Sequence, residues 1–267
     1  SSDGDFVLTG AEDDTAALWN VTTGQRVRTF SGHSGRVNSV TFSPDDSRVL
    51  TGSSDTTGRI WDTSTGALLQ TLDVDFGYNP VYGVAYAPDG NSVLLVGGEI
   101  VRQYNATTGA SIRTYGFEGG RCAAFSPDGS KVAVGGEFGY IYMWNATTGA
   151  YLGSFNGHSD WVESLTFSAD GTQLLSASWD GTARIWNAST RALVRSFLDP
   201  AYDPIVPAAA FSPDATLVLT TSKENVSRLW DVATGEELRT LAGHANSDSG
   251  SGWVYTADFA PDGLSAL

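Results

Sequence analysis

The 267-residue sequence holds one cysteine, one methionine and three histidines, and only two of its fifteen basic residues, Lys131 and Lys223, are lysines. A single cysteine closes no internal disulfide, and Cys122 stands beside Ala123 and Ala124, the setting of a small buried hydrophobe. Long apolar runs are missing: no segment approaches the length of a membrane-spanning helix, and the first residues lack a charged-then-apolar leader pattern. Basic charge is scarce. Thirty acidic residues leave a formal net charge of −15, which opposes the phosphate neutralisation on which nucleic-acid affinity depends. Membrane insertion and nucleic-acid binding are therefore not expected. What is present is apolar material, 41% hydrophobic with 11% aromatic, enough for the buried core of a soluble globular chain.

The chain repeats itself from end to end. An aromatic residue followed by Asn or Asp recurs at Trp19-Asn20, Trp61-Asp62, Tyr104-Asn105, Trp144-Asn145, Trp186-Asn187 and Trp230-Asp231, in steps of 42, 43, 40, 42 and 44 residues. Between these pairs lies a second marker, of the type Ser-Pro-Asp-Gly. It begins at Ser43, Ala87, Ser126, Ser168, Ser212 and Ala260. Proline presets φ, Asp bonds the following backbone and glycine accepts a positive φ, so each marker reads as a tight hairpin. A Thr-Gly pair after the aromatic strand, as at Thr23-Gly24 and Thr65-Gly66, turns the chain again. The stretches between turns are short and rich in Val, Ile, Leu, Thr and aromatics, which favours strands and requires no helix. A period of 40 to 45 residues with four strands per repeat is what a β-propeller blade produces.

At these residues the sequence resembles the WD-repeat family. Gly32-His33, Gly157-His158 and Gly243-His244 match its Gly-His marker, and the strand-c aromatic pairs match its Trp-Asp marker. The resemblance implies an all-β propeller over residues 1–267 as a single domain, with blade units ending near 30, 72, 115, 155, 197 and 241. It also implies buried hydrogen-bond chains that join His, a strand-b Ser or Thr, a turn Asp and the strand-c Trp. Two such chains are complete here, His33 with Asp55 and Trp61, and His158 with Asp180 and Trp186. His244 is assigned to Asp13 and Trp19, which makes residues 253–259 a closing strand for the N-terminal blade. The count is six blades if the chain is complete. It is seven if one further repeat lies outside it, since residues 260–267 repeat the register of residues 1–8. The units with Gly98 and Phe138 at the turn position lack the chain and are expected to be held by apolar packing and to be softer.

Chemistry for turnover is not evident. The histidines follow the repeat and not a ligand spacing, so no metal, cofactor or catalytic residue is assigned and the chain is not read as an enzyme. Asp73-Val74-Asp75-Phe76-Gly77 imitates a calcium loop, but Val84 stands where its bidentate Glu belongs. The strand-a register instead places Tyr82, Arg121, Glu163 and Tyr255 around one face, with Trp161, Trp179 and Trp253 nearby and Tyr78 and Tyr202 adjacent. This aromatic, sparsely charged face is the expected site for a protein or peptide partner, and the Ser/Gly-rich loop 245–252 is a candidate gate. Asn20, Asn105, Asn145, Asn187 and Asn225 each begin a glycosylation sequon, five of the ten asparagines. Four of them occupy the repeat's own Asx turn, which explains the excess structurally. The expected function is a non-enzymatic interaction scaffold. Its alternative is a structural glycoprotein in an extracellular filament or surface assembly, and the reading leaves room for a larger assembly of either kind. The location is cytoplasmic by family default and extracellular if the sequons are used.

Overall fold

A computed structural model describes residues 1–74, 79–117, 119–200, 205–242 and 254–266. Among the described residues, twenty-three strands form six antiparallel sheets in sequence order. The first has three strands, β1 (Phe6–Gly10), β2 (Thr15–Asn20) and β3 (Arg26–Ser31). The second holds β4 (Val37–Phe42), β5 (Arg48–Ser53), β6 (Thr57–Asp62) and β7 (Leu68–Asp73). The third holds β8 (Val81–Tyr86), β9 (Ser92–Gly97), β10 (Ile100–Asn105) and β11 (Ser111–Gly116). The fourth comprises β12 (Gly120–Phe125), β13 (Lys131–Gly136), β14 (Ile141–Asn145) and β15 (Tyr151–Phe155). The fifth comprises β16 (Val162–Phe167), β17 (Gln173–Ser178), β18 (Thr182–Asn187) and β19 (Leu193–Leu198). The sixth comprises β20 (Ala209–Phe211), β21 (Leu217–Thr221), β22 (Val226–Asp231) and β23 (Glu237–Ala242).

The burial of each strand explains its composition. The second strands of the sheets, such as β5, β9 and β17, are buried at nearly every residue, so they read as continuous apolar and small runs. The last strands alternate, because one of their faces is solvated. In all six sheets the register between the last two strands slips just before the strand-c aromatic, at Ile60/Trp61 for example. Such a bulge re-aims the ring. The hairpin markers work as turns: Asp45 Oδ1 accepts from the Ser43 hydroxyl at 2.6 Å and the Ser47 N–H at 3.1 Å. The fourth turn position takes a positive φ, which Gly90 adopts at 69° without strain and Ala215 at 56° against its Cβ.

Among the described residues the only helical segment is a one-turn 3-10 helix, Glu137–Gly139, in which Phe138 sits at φ 63°. The chain gathers into two compact units. One contains residues 1–125, 129–132 and 145–150; the other contains 126–128, 133–144 and 151–267. In the first unit Ala16, Leu18 and Phe30 of the first sheet pack with Val37, Val49 and Trp61 of the second. In the other, Leu175, Ile185 and Phe197 pack with Val206, Val218 and Trp230. Full burial of a side chain like Phe30 stabilises by about 2–3 kcal/mol.

The closing strand differs from expectation. Trp253 lies outside the described residues, residues 254–258 carry no strand, and β1 pairs only with β2 among the described residues. The Val254 N–H reaches the Ser222 carbonyl at 3.4 Å, and one bond of that length does not set a ladder.

Candidate interaction surfaces and the side chains beneath them

Among the described residues, two sheets contain a complete buried polar chain of His, Asp, hydroxyl and Trp. In the second, His33 Nδ1 lies 2.8 Å from Asp55 Oδ2 and Nε2 lies 2.7 Å from Thr51 Oγ1, while the Trp61 indole N–H donates to that same oxygen at 3.0 Å. The fifth repeats it with His158, Asp180, Ser176 and Trp186 at 2.8, 2.7 and 2.8 Å. Burial opposes ionisation of Asp55, but donation from the Thr57 hydroxyl, the Ser34 N–H and His33 outweighs it and holds the carboxyl at about 2. Asp180 is held lower still, against its burial, by His158 and the Thr182 hydroxyl. Burial lowers the pKa of both histidines, and the neighbouring carboxylates offset it only in part.

The remaining sheets depart from this arrangement. Asp13 is exposed and caps Thr15, Trp19 donates to Thr9 Oγ1 at 2.9 Å, and His244 lies outside the described residues. In the sixth, Trp230 donates to Thr220 Oγ1 at 2.9 Å. The third sheet, expected to rely on apolar packing, has a polar chain of its own. The Tyr115 hydroxyl donates to Gln103 Oε1 at 2.9 Å, and Gln103 Nε2 donates to Ser92 Oγ at 2.9 Å, all three residues being buried. In the fourth, the rings of Phe138, Tyr140, Tyr142 and Trp144 follow one another with centroids 5.9–6.5 Å apart.

The face residues fall into two groups. In the first unit the Arg121 guanidinium lies 4.3 Å over the Tyr82 ring, and Asn38 Nδ2 donates to the Val81 carbonyl at 2.9 Å. In the other, the Trp161 and Trp179 rings stack with centroids 4.7 Å apart at 31°, and the Trp179 N–H donates to the Trp161 carbonyl at 2.9 Å. Both indoles and Glu163 are half-buried, whereas Tyr255 is 65% exposed. Tyr78, Tyr202 and the loop 245–252 lie outside the described residues. A cavity of about 380 Å³ in this unit is lined by Ser164, Thr166, Phe167, Ala209, Phe211 and Ala257. Of the sequon asparagines, Asn20, Asn105, Asn145 and Asn187 accept turn N–H bonds through Oδ1 at 2.8, 2.8, 2.7 and 2.8 Å, and Asn225 sits at φ 64°.

Sequence reasoning missed a second repeating contact. On the last strand of a sheet, Arg28, Gln70, Arg113 and Arg195 reach backbone carbonyls in the Thr-Gly turn of the sheet that follows. Arg28 bonds Ser64 and Thr65, Gln70 bonds Thr107, Arg113 bonds Thr147 and Thr148, and Arg195 bonds Ala233 and Thr234. The equivalent position in β15 is Gly153, and the turn glycine it would meet is replaced by Arg191, whose Nε would stand 2.7 Å from a Cβ at 153. The arginine has changed sides of the contact. The signal available in the sequence was the recurrence of Arg nine residues after the strand-c aromatic, at Arg28, Arg113, Arg195 and Arg239.

Six antiparallel sheets with an indole or phenol anchored at the same strand position define a WD-type β-propeller protein. Residues 1–264 match the family described as IFT122 first beta-propeller, and the chain belongs to that family. Relatives include eukaryotic translation initiation factor 3 subunit I of Candida albicans, 24% identical over 58% of this chain and 49% of the relative. The same subunit of Eremothecium gossypii is 26% identical over 62% and 53%. The periodic tryptophan protein 2 homolog of Dictyostelium discoideum is 27% identical over 62% of this chain and 14% of its own length. The chain thus spans about half, or less, of the curated relatives it matches.

Proposed function

We propose that the chain is a non-catalytic platform that holds protein partners, and that the Trp161–Trp179 pair is a principal contact. The stacked, half-buried indoles carry this reading. They sit at the entry to β16 and in the turn after β17, outside the buried clusters, where large aromatics supply most of an interface's energy. Two further observations support it. Both described histidines are committed to hydroxyl and carboxylate partners inside the sheets, and relatives carry the name of a subunit of a larger factor. Tyr82 with Arg121, and Tyr255, are proposed as additional contacts, and Glu163 as a polar rim.

The test is quantitative affinity capture from the source organism by the chain and by Trp161→Ala and Trp179→Ala variants. Each indole is expected to contribute about 2 kcal/mol, or about thirtyfold in Kd. Capture that is unchanged in both correctly folded variants would remove this pair as the contact.

A further inference from the structure

The Asx turn after each strand-c aromatic uses its side chains in a fixed way. Oδ1 of Asn20, Asn105, Asn145 and Asn187 accepts the N–H of the third residue on, at 2.7–2.8 Å. The threonine found there is committed as well. In all six turns, from Thr23 to Thr234, its Oγ1 accepts the N–H two residues further, at 3.2–3.4 Å. Aspartate serves equally, since Asp62 and Asp231 accept from the Thr65 and Thr234 N–H groups at 2.7 and 2.6 Å. The turn therefore needs one acceptor oxygen and one threonine.

Two groups are left over in the four asparagine turns. Among the described residues, neither Nδ2 of these asparagines nor the hydroxyls of Thr22, Thr107, Thr147 and Ser189, two positions after them, make a hydrogen bond. The four hydroxyl residues are exposed, and each asparagine is half-buried with Nδ2 open to solvent. At the aspartate turns the same position holds Ser64, which donates to Asp62 at 2.7 Å, and Ala233. Contacts from the preceding sheet do not claim the amide either, because Gln70 and Arg113 reach the carbonyls of Thr107 and Thr147. The turn geometry thus accounts for the Oδ1 and leaves the amide nitrogen and the hydroxyl beside it without a structural use.

We propose that Asn20, Asn105, Asn145 and Asn187 carry N-linked oligosaccharides on Nδ2, the hydroxyl two positions on completing the acceptor that a transferase reads. In the transfer the amide nitrogen bonds the anomeric carbon of a polyprenyl-pyrophosphate-linked sugar. The bond from that carbon to the pyrophosphate oxygen breaks, the lipid pyrophosphate leaves with the electron pair, and the amide proton passes to a base of the transferase. The fifth sequon is excluded, because Asn225 lies in a different turn and its Ser227 is buried in β22. The proposal is independent of the Trp161–Trp179 contact.

Peptide mass spectrometry of the protein purified from its source organism tests it, after an amidase has released N-glycans in heavy-oxygen water and left a labelled Asp at each glycosylated Asn. Label is expected at the four asparagines and not at Asn225. Two variants expressed in the same organism separate the modification from spontaneous deamidation and from misfolding. Thr107→Val should lose the label at Asn105 alone. Asn105→Asp should lose that sugar and still give the wild-type circular dichroism, because Asp62 forms the same turn. An asparagine recovered wholly unmodified removes its turn from the proposal, and four such asparagines overturn it. So does label at Asn105 that persists in Thr107→Val, or label that falls on Asn225 as strongly as on the other four.

Discussion

The Asp55 carboxylate accepts from the Thr57 hydroxyl at 2.7 Å, the Thr57 and Ser34 N–H groups at 3.0 Å each, and His33 at 2.8 Å. Its side chain is 5% exposed, so water does not replace these donors. Its folded pKa of about 2 lies below the ordinary 3.8, so its contribution to stability is present above pH 3.8 and lost as the pH falls through 2. That contribution is about 2 kcal/mol. His33 and His158 act earlier. Both are lowered from 6.5 by burial, so below pH 6.5 the unfolded chain takes up protons that the folded chain refuses, and stability falls. Urea midpoints should therefore decline from pH 6.5 downward in two stages. In Asp55→Asn the whole curve should start about 2–3 kcal/mol lower, because one buried acceptor is lost, and the stage below pH 4 should be shallower. A flat wild-type profile between pH 6.5 and 3 would contradict this account of the chains.

At the scale of the element, the third sheet is held by a polar chain where Trp and His are replaced by Tyr104 and Gly98. Gln103→Ala would remove the amide that joins the Tyr115 hydroxyl to Ser92 and should cost about 1–3 kcal/mol in chemical denaturation. A loss below about 0.5 kcal/mol would mean that the chain contributes nothing. In the fourth sheet Phe138 holds φ 63° with its ring 70% exposed, so Phe138→Gly should gain up to about 1 kcal/mol, read as a higher thermal midpoint. The sequence made the strands and hairpins legible because their signals are local: Ser43 to Ser47 spells one turn, and Trp61 marks one strand. The polar chain of the third sheet was illegible because a buried Gln at mid-strand has no repeat pattern to announce it. The Arg113 and Arg195 forks join residues 34–39 apart, and a reading that treats each repeat alone passes over contacts between repeats. The face residues were legible as strand-a positions, but the stacking of Trp161 on Trp179 depends on a loop conformation that composition does not encode.

At the scale of the whole molecule, the chain carries a net charge of −15, and an open surface pair such as Arg36 with Glu12, at 3.3 Å, contributes little. The buried pair Arg228 with Asp199, at 2.6 Å, lies where salt screens poorly. Because an exposed pair of this kind contributes little, the main effect of salt is to relieve the like-charge repulsion of the acidic chain. Raising ionic strength from about 0.01 M to about 0.15 M shortens the screening length from about 30 Å to about 8 Å. The thermal midpoint should rise by about 2–5 °C over that range. Sodium chloride is the titrant, since sulfate also strengthens apolar burial and would mimic the effect.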